Sequence, residues 1–422
     1  MLEANPPTRR TLFGLDWLNF FLADVLTGVG AFLAIYLADY RWNARRIGFV
    51  LTVGGIAGIL TQTPAGALVD RLRAKRALIA LGVIALVIGA MATALFPKFW
   101  SILCAQILIG ATSTVFIPCI CAISLGIVGP KRFDSRQGRN QTFNSAGNVF
   151  AALMMGLVGY FISTRAAFFF VAASAVPTLI FLRLIRPEEI DYSMARGGTV
   201  AAEAGRPPIF KLLCRDKALV TFLACAVMFH FANAAMLPLL GEMLSKGKGR
   251  SSMMFMAACV LTTQIVITLI ASPIGSLAAS LGRKPLLLIG FGVLPIRGFF
   301  YTLTNSPMLL VAIQILDGVG AGIFGVVSVL VIADLTRGTG RFNLAQGAIA
   351  TAIGVGASLS QVIDGGIVFK AGYDAAFRVL AGIAAVALVV LWRLMPETRE
   401  DSEHRADSAP PGAGQAVQRS GT

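Results

Sequence analysis

Long apolar stretches follow one another along the whole chain, separated by short polar loops. They fall near residues 12–37, 47–69, 77–96, 100–128, 142–163, 166–186, 218–243, 252–279, 285–303, 307–333, 344–368 and 374–394. Each runs to about 20 residues or more, enough for a helix to cross a hydrocarbon core about 30 Å thick. None alternates polar with apolar positions as a barrel strand would. The bilayer core offers no water to bare backbone, so the spanning form left is the α-helix. The pattern predicts an all-α membrane protein of twelve spans, numbered here in chain order.

The longest polar gap carries Pro207-Pro208 and divides six spans from six. The predicted units are a polar N-terminus (1–11), a six-helix bundle (12–186), a connecting loop (187–217), a second six-helix bundle (218–394) and a tail (395–422). The tail is charged, then rich in Ser, Pro and Gly, a composition that predicts disorder.

The two halves repeat. Pro64-Ala65-Gly66-Ala67-Leu68 returns as Pro273-Ile274-Gly275-Ser276-Leu277, 209 residues later. At the same offset Ala23-Asp24 meets Ala232-Asn233. One residue off that register, Gln106-Ile107-Leu108-Ile109-Gly110 meets Gln314-Ile315-Leu316-Asp317-Gly318. Gly138-Arg139 is matched to Gly340-Arg341 after a change of loop length. The chain is a duplication.

Composition agrees with the pattern. Of 422 residues 56% are apolar and 14% charged, and the mean hydropathy is +0.76. A soluble domain carries about 25% charged residues, so this chain lacks the charge for a water-facing surface. The net charge of +15 is spread over short loops, where it orients a membrane protein; nucleic acid is not an expected partner. An even number of spans puts both termini on one side. That side holds 25 of the 36 lysines and arginines against 10 on the other. The bias predicts a bacterial plasma (inner) membrane protein with both termini cytoplasmic. Arg41, Arg45 and Arg46 dissent. Trp42, Trp100 and Trp392 fall at predicted span ends, where indoles anchor.

The six cysteines are scattered, five in spans and Cys214 in the central loop, as reduced structural thiols would be. Cys119-x-Cys121 has no histidine near it to complete a metal site. His230 and His404 are the only histidines, and no glycine-rich segment ends in Gly-Lys-Ser/Thr, so neither histidine-based metal catalysis nor ATP-driven pumping is indicated. No cofactor, metal or enzymatic activity is expected. The remaining partners are a small-molecule substrate, protons and the lipid bilayer, with the chain a monomer.

The loop after span 2 reads Gly66-Ala-Leu68-Val-Asp70-Arg71-Leu-Arg73-Ala-Lys75-Arg76, and the loop after span 8 reads Gly275-Ser-Leu277-Ala-Ala279-Ser-Leu-Gly282-Arg283-Lys284. Together they resemble the G-x-L-A-D-R-x-G-R-K signature of the major facilitator superfamily. The first copy has Arg73 where glycine is usual, and the second has Ala279 in place of the acid. The resemblance covers residues 12–394. It implies two six-helix bundles related by a pseudo-two-fold axis, rocking about a site near the membrane midplane. Spans 1, 4, 7 and 10 would line that cavity. In the family the loop aspartate locks the halves together on the cytoplasmic side. By resemblance the gate here comprises Gly66, Asp70, Arg71, Lys75, Gly275, Gly282, Arg283 and Lys284, with Arg139 and Arg341 beside them. A turn that only sets topology is the alternative. The chain is similar to drug-exporting members but lacks their full antiporter motifs. Gln106 stands where span 4 carries an arginine, and Gly147, Gly156 and Gly159 stand without the span-5 proline.

Asp24 in span 1 and Asp317 in span 10 lie near mid-depth. Facing lipid each would cost about 2.5–3.5 kcal/mol, so both should face water or a partner. His230 and Asn233 sit one turn apart on span 7 at similar depth. Gln106 and Gln314 add amides on spans 4 and 10. The expectation is that Asp24, Asp317 and His230 form the solute and proton site, with Asn233, Gln106 and Gln314 as hydrogen-bonding walls. Interhelical bonding without traffic is the alternative. Asp16 can reach the cytoplasmic interface, and Arg297, on the outer part of span 9, is expected to snorkel outward. The polar stretch 136–148 is either a gate between spans 4 and 5 or a helix cap. The function expected is a secondary transporter moving a small solute by alternating access, proton-coupled, with export favoured. A receptor or assembly protein on the same fold, or an integral-membrane transferase, is the alternative.

Overall fold

The structure, a computed structural model, describes residues 7–31, 33, 36–37, 40–42, 44–198, 216–245 and 250–399. Cys214 and most of the predicted tail lie outside them. Twelve spans are present as helices: Arg9–Ala31, Ala44–Arg71, Lys75–Leu95, Phe99–Ser113 with Phe116–Val128, Pro130–Phe161, Thr164–Leu184, Lys217–Ala234 with Met236–Ser245, Arg250–Leu281, Arg283–Phe300, Pro307–Leu335, Phe342–Ala371 and Tyr373–Leu394.

Spans 4 and 7 are broken, and the cause is local. A proline at position i cannot donate to the carbonyl of i−4 and its ring crowds that carbonyl. Pro118 acts on Thr114 and Pro238 on Ala234, which are the points where the two helices interrupt.

Span 5 begins at Pro130 rather than at 142, because the polar stretch is helical and its side chains bond inside the protein. Among the described residues, nine spans are apolar enough to cross a bilayer on composition alone; spans 1, 5 and 9 are not. Those three carry Asp16, Arg136 and Arg297, all buried. Their polarity is turned inward, away from lipid.

Packing repeats with the sequence. Spans 1–5, 1–6, 2–4, 3–4 and 3–6 pack as 7–11, 7–12, 8–10, 9–10 and 9–12 do. One apolar core is built from residues between Leu15 and Ala195, and a second chiefly from residues between Leu219 and Met395. The halves meet through spans 2 with 11 and 5 with 8.

Glycine permits both crossings. A Cβ at Gly66 would overlap the Asn343 carbonyl, and one at Gly275 would lie 2.5 Å from the Asp134 carbonyl and 2.9 Å from Gly138 Cα. A Cβ at Gly347 would likewise meet Gln62. Asp134 therefore corresponds to Asn343, and Gly138 to Gly347, both at the 209-residue offset. This corrects the match of Gly138-Arg139 to Gly340-Arg341; no loop-length change intervenes.

The face where the chain enters span 1 and leaves span 12, here the terminal face, is tied together by connecting segments. Thr8 donates through its N–H (3.0 Å) and hydroxyl (2.9 Å) to Glu189. Gly338 N–H donates to the Gly197 carbonyl at 2.6 Å. The first tail residues differ from the disorder expected of 395–422. Met395 and Thr398 are buried, and Glu397 accepts from the Arg283 and Lys284 N–H groups at 2.8 and 2.9 Å. The tail thereby caps span 9, whose N-terminal N–H groups would otherwise lack partners.

Spans 1 and 5 touch at Gly147, where a Cβ would overlap the Phe20 backbone. Backbone cannot step aside as a flexible side chain can. Gly147→Leu is expected to destabilise the N-terminal half by about 1–3 kcal/mol or more. A thermal-unfolding midpoint in detergent should fall, and an unchanged midpoint would show that the helices separate freely there.

Candidate functional site

At the terminal end of the molecule the two halves are locked by one carboxylate. Span 11 begins at Phe342, and its N-cap residue Arg341 makes no side-chain cap. The free N–H groups of its first turn are met by Asp70, at the end of span 2 in the other half. Asn343 N–H (3.2 Å) and Nδ2 (2.8 Å) donate to Asp70 Oδ1, and Leu344 N–H donates to Oδ2 at 2.8 Å. Asp70 is an N-cap supplied in trans, wholly buried. A carboxylate at a helix N-terminus is favoured by the helix dipole, by up to about 2 kcal/mol when buried. Lys75 closes the end of span 2 itself, its Nζ donating to the Val69 and Leu72 carbonyls at 2.7 and 3.2 Å.

At the second crossing the acid has moved. Ala279 stands where the repeat would place the partner of Asp70. The carboxylate comes instead from Asp134, the counterpart of Asn343, on span 5. Arg283 reaches it at 2.7 Å, pairs with Asp334 at 2.8 Å, and donates to the Ala278 carbonyl at 2.6 Å. Gly282 precedes it with φ of +91°, a backbone conformation that suits glycine. Each crossing is thus held by one carboxylate, buried at Asp70 and half-buried at Asp134, and both come from the N-terminal half. The terminal side is closed.

Of the other expected gate residues, Gly66 and Gly275 sit at the crossings, and Lys284 offers its backbone to Glu397. Arg71 is exposed at the end of span 2. Arg139 does not join the halves. It pairs with Asp16 of span 1 in its own half at 2.7 Å, alongside the buried Arg136. Asn140 continues this network, accepting from Arg136 Nε and donating to Ser124. The stretch 136–148 is therefore helical, with Arg136, Arg139 and Asn140 bonded within the N-terminal half and Gly138 at the crossing with span 8.

At mid-depth four of the expected residues lie on spans of the C-terminal half and two on spans of the N-terminal half. Asp317 accepts from Thr263 of span 8 at 3.0 Å and pairs with Arg297 of span 9. Arg297 is buried, against Met236 Sδ of span 7 at 3.1 Å and over the Tyr301 ring. This corrects the expectation that Arg297 snorkels outward: its guanidinium turns inward to Asp317. Gln314 donates to the Tyr301 hydroxyl at 2.6 Å. His230 packs edge-on against Phe324 of span 10, one turn from Asn233. Four of the six expected residues, His230, Asn233, Gln314 and Asp317, therefore belong to spans 7 and 10 of the C-terminal half.

Asp24 and Gln106 do not join them. Asp24 is 1% exposed and bonds Ser174 of span 6, inside the N-terminal half. Gln106 packs on Gly54 of span 2. Five of the six expected residues nonetheless carry a buried polar atom without a partner: Asp24 Oδ2, Gln106 Nε2, His230 Nε2, Asn233 Oδ1 and Gln314 Oε1. Each such atom costs about 1–3 kcal/mol, which marks these positions as polar beyond what packing needs.

This architecture can be compared with known proteins. The sequence description of the Major Facilitator Superfamily matches residues 16–271 and 251–418. The chain belongs to that superfamily. It is 45% identical over 410 residues to uncharacterized MFS-type transporters of Mycobacterium tuberculosis strains CDC 1551 / Oshkosh and ATCC 25618 / H37Rv, spanning 96% of this chain and 97% of each relative. The crystal structure of the human organic anion transporter MFSD10 (TETRAN) superposes with a TM-score of 0.66 over 92% of this chain and all of the other, at 15% identity. That likeness concerns the fold alone. As a major facilitator the chain is a multi-pass secondary transporter.

Sequence reasoning misplaced Arg297 and missed Asp134 and Asp334. Arg297 carried a signal: a membrane-embedded cation and acid on successive spans neutralise each other. Asp134 and Asp334 were hidden by their place among loop charges.

Replacing a capping carboxylate by alanine costs about 0.5–2 kcal/mol, so Asp70→Ala should shift the closed-to-open ratio at the terminal face by about two- to thirtyfold. Labelling of Thr351→Cys in a cysteine-free background, a position 2.9 Å from Thr63 across the crossing, should quicken accordingly. An unchanged labelling rate would remove Asp70 from the gate.

Proposed function

We propose that this transporter exports a small uncharged or cationic solute across a bacterial plasma membrane in exchange for protons, with its terminal face in the cytoplasm. The observation that carries the reading is the Arg297–Asp317 pair, a buried ion pair bridging spans 9 and 10 and fastened to span 8 through Thr263.

Breaking a buried pair by neutralising one partner costs about 3–5 kcal/mol, because the other charge is left uncompensated. A proton delivered to Asp317 would do this to Arg297, whose Nε already lacks an acceptor. Arg297 must then find new partners, and the spans it joins must shift. Protonation is thereby linked to conformation. A population change from 1:99 to 99:1 requires about 5.5 kcal/mol of differential free energy, so one such pair supplies most of it.

Solute binding is assigned in this reading to the polar groups on spans 7 and 10, His230, Asn233 and Gln314, with Asp24 and Gln106 entering from spans 1 and 4 when the halves rock. Asp317 is matched by Arg297, while no cation pairs with Asp24 among the described residues. The site thus leans against an anionic solute. Placement of the terminal face in the cytoplasm is supported by its excess of lysine and arginine. Export follows the similarity of the chain to drug-exporting members, whose full antiporter motifs it lacks.

The test is counterflow and gradient-driven flux in proteoliposomes, against a panel of metabolites and antibiotics. Asp317→Asn should abolish acceleration by a pH gradient while leaving the protein folded in the bilayer, and Asp24→Asn should lower solute flux. Wild-type, pH-driven flux in Asp317→Asn would contradict proton coupling through this pair. Uptake in right-side-out vesicles with an inward proton gradient would reverse the direction.

A further inference from the structure

On the terminal face, between the start of span 1 and the start of span 5, lies a cleft of about 570 Å³ that neither the gate nor the mid-depth site uses. Its polar lining holds five cations, Arg9, Lys131, Arg132, Arg136 and Arg139, against the single carboxylate of Asp16. Asp16 is already occupied, with Arg136 on one oxygen and Arg139 on both. Asp134, the nearest acid on span 5, is turned to Arg283. Arg9, Lys131 and Arg132 are exposed and pair with no carboxylate among the described residues. The cleft therefore carries a large unmatched positive charge at a fixed place.

The other wall is apolar. Leu12, Phe13 and Val128 line it, and Phe13 is 52% exposed although it packs edge-on against Phe181. Phe13 lies one helical turn into span 1 from Arg9, so cations form the rim and hydrocarbon the floor. Free anions have no use for an aromatic floor, and nucleic acid could not reach a cleft opening at the membrane edge. Basic pockets between transmembrane helices at an interface suit lipid head groups.

We propose that this cleft binds the head group of an anionic phospholipid, its phosphate on Arg9, Lys131 and Arg132 and its acyl chains along Phe13 and Leu12. Arg136 and Arg139 keep Asp16 occupied and hold the two spans at the spacing the head group needs.

The test uses the full chain, purified in a neutral detergent and examined by native mass spectrometry with phosphatidylglycerol, with phosphatidylcholine, and with inorganic phosphate as competitor. The cleft variant is Arg9→Gln/Lys131→Gln/Arg132→Gln. The control, Arg73→Gln/Lys217→Gln/Arg393→Gln, removes the same charge from exposed positions elsewhere. Phosphatidylglycerol retention should weaken about tenfold or more in the cleft variant and stay at the wild-type level in the control. Arg9→Gln alone should give a smaller loss in the same direction, which keeps the test sound if the triple variant folds poorly. Equal losses in cleft variant and control, equal retention of phosphatidylcholine by the wild type, or displacement of the lipid by inorganic phosphate would each overturn the proposal.

Discussion

A charge inside a bilayer has no water to turn to, and this requirement organises the molecule. Three buried or half-buried ionic clusters in the spans are each answered from another span: Asp16 by Arg136 and Arg139, Asp317 by Arg297, and Arg283 by Asp134 and Asp334. The first pair fastens a half internally and the last joins the two halves. Asp24 and Asp364, each with a hydroxyl and no cation paired with it among the described residues, are exceptions. Burial sharpens the consequence of any change in charge, because an abandoned partner cannot be solvated where it stands.

The duplication shows how such locks diverge. Both crossings use a glycine contact, Gly66 on Asn343 and Gly275 on Asp134, so helix backbones come close enough for short polar side chains to bridge. At one crossing the carboxylate caps a helix across the boundary. At the other it stands on span 5 instead of span 8 and faces an arginine, which the tail segment around Glu397 and Thr398 helps to hold. A cap worth about 2 kcal/mol or less holds a gate shut without making it permanent. Transport by alternating access needs that balance.

Much of the fold was legible in the residue pattern. Twelve spans, the division into halves and the 209-residue offset all follow from apolar periodicity and repeated glycines, which bilayer thickness and close packing impose directly. The early start of span 5 was hidden, because its polar residues are satisfied by tertiary partners that hydropathy does not register. The breaks in spans 4 and 7 were signalled by Pro118 and Pro238, yet Pro64 and Pro273 sit in unbroken helices, so proline alone does not decide. The site was legible in part. Depth along each span could be read from the sequence, but not rotation about the helix axis, which turns Asp24 toward Ser174 and Arg297 toward Asp317.

Transport as proposed requires a terminal face that closes and reopens as buried charges change partners. Spin labels at Arg73 and Ser280, exposed in the corresponding loops of the two halves, would report that distance directly by pulsed electron resonance in nanodiscs. A short and a longer population whose ratio changes between acidic and neutral pH, with Asp317→Asn abolishing the change, is the result expected. One distance, unaltered by pH in both proteins, would contradict it.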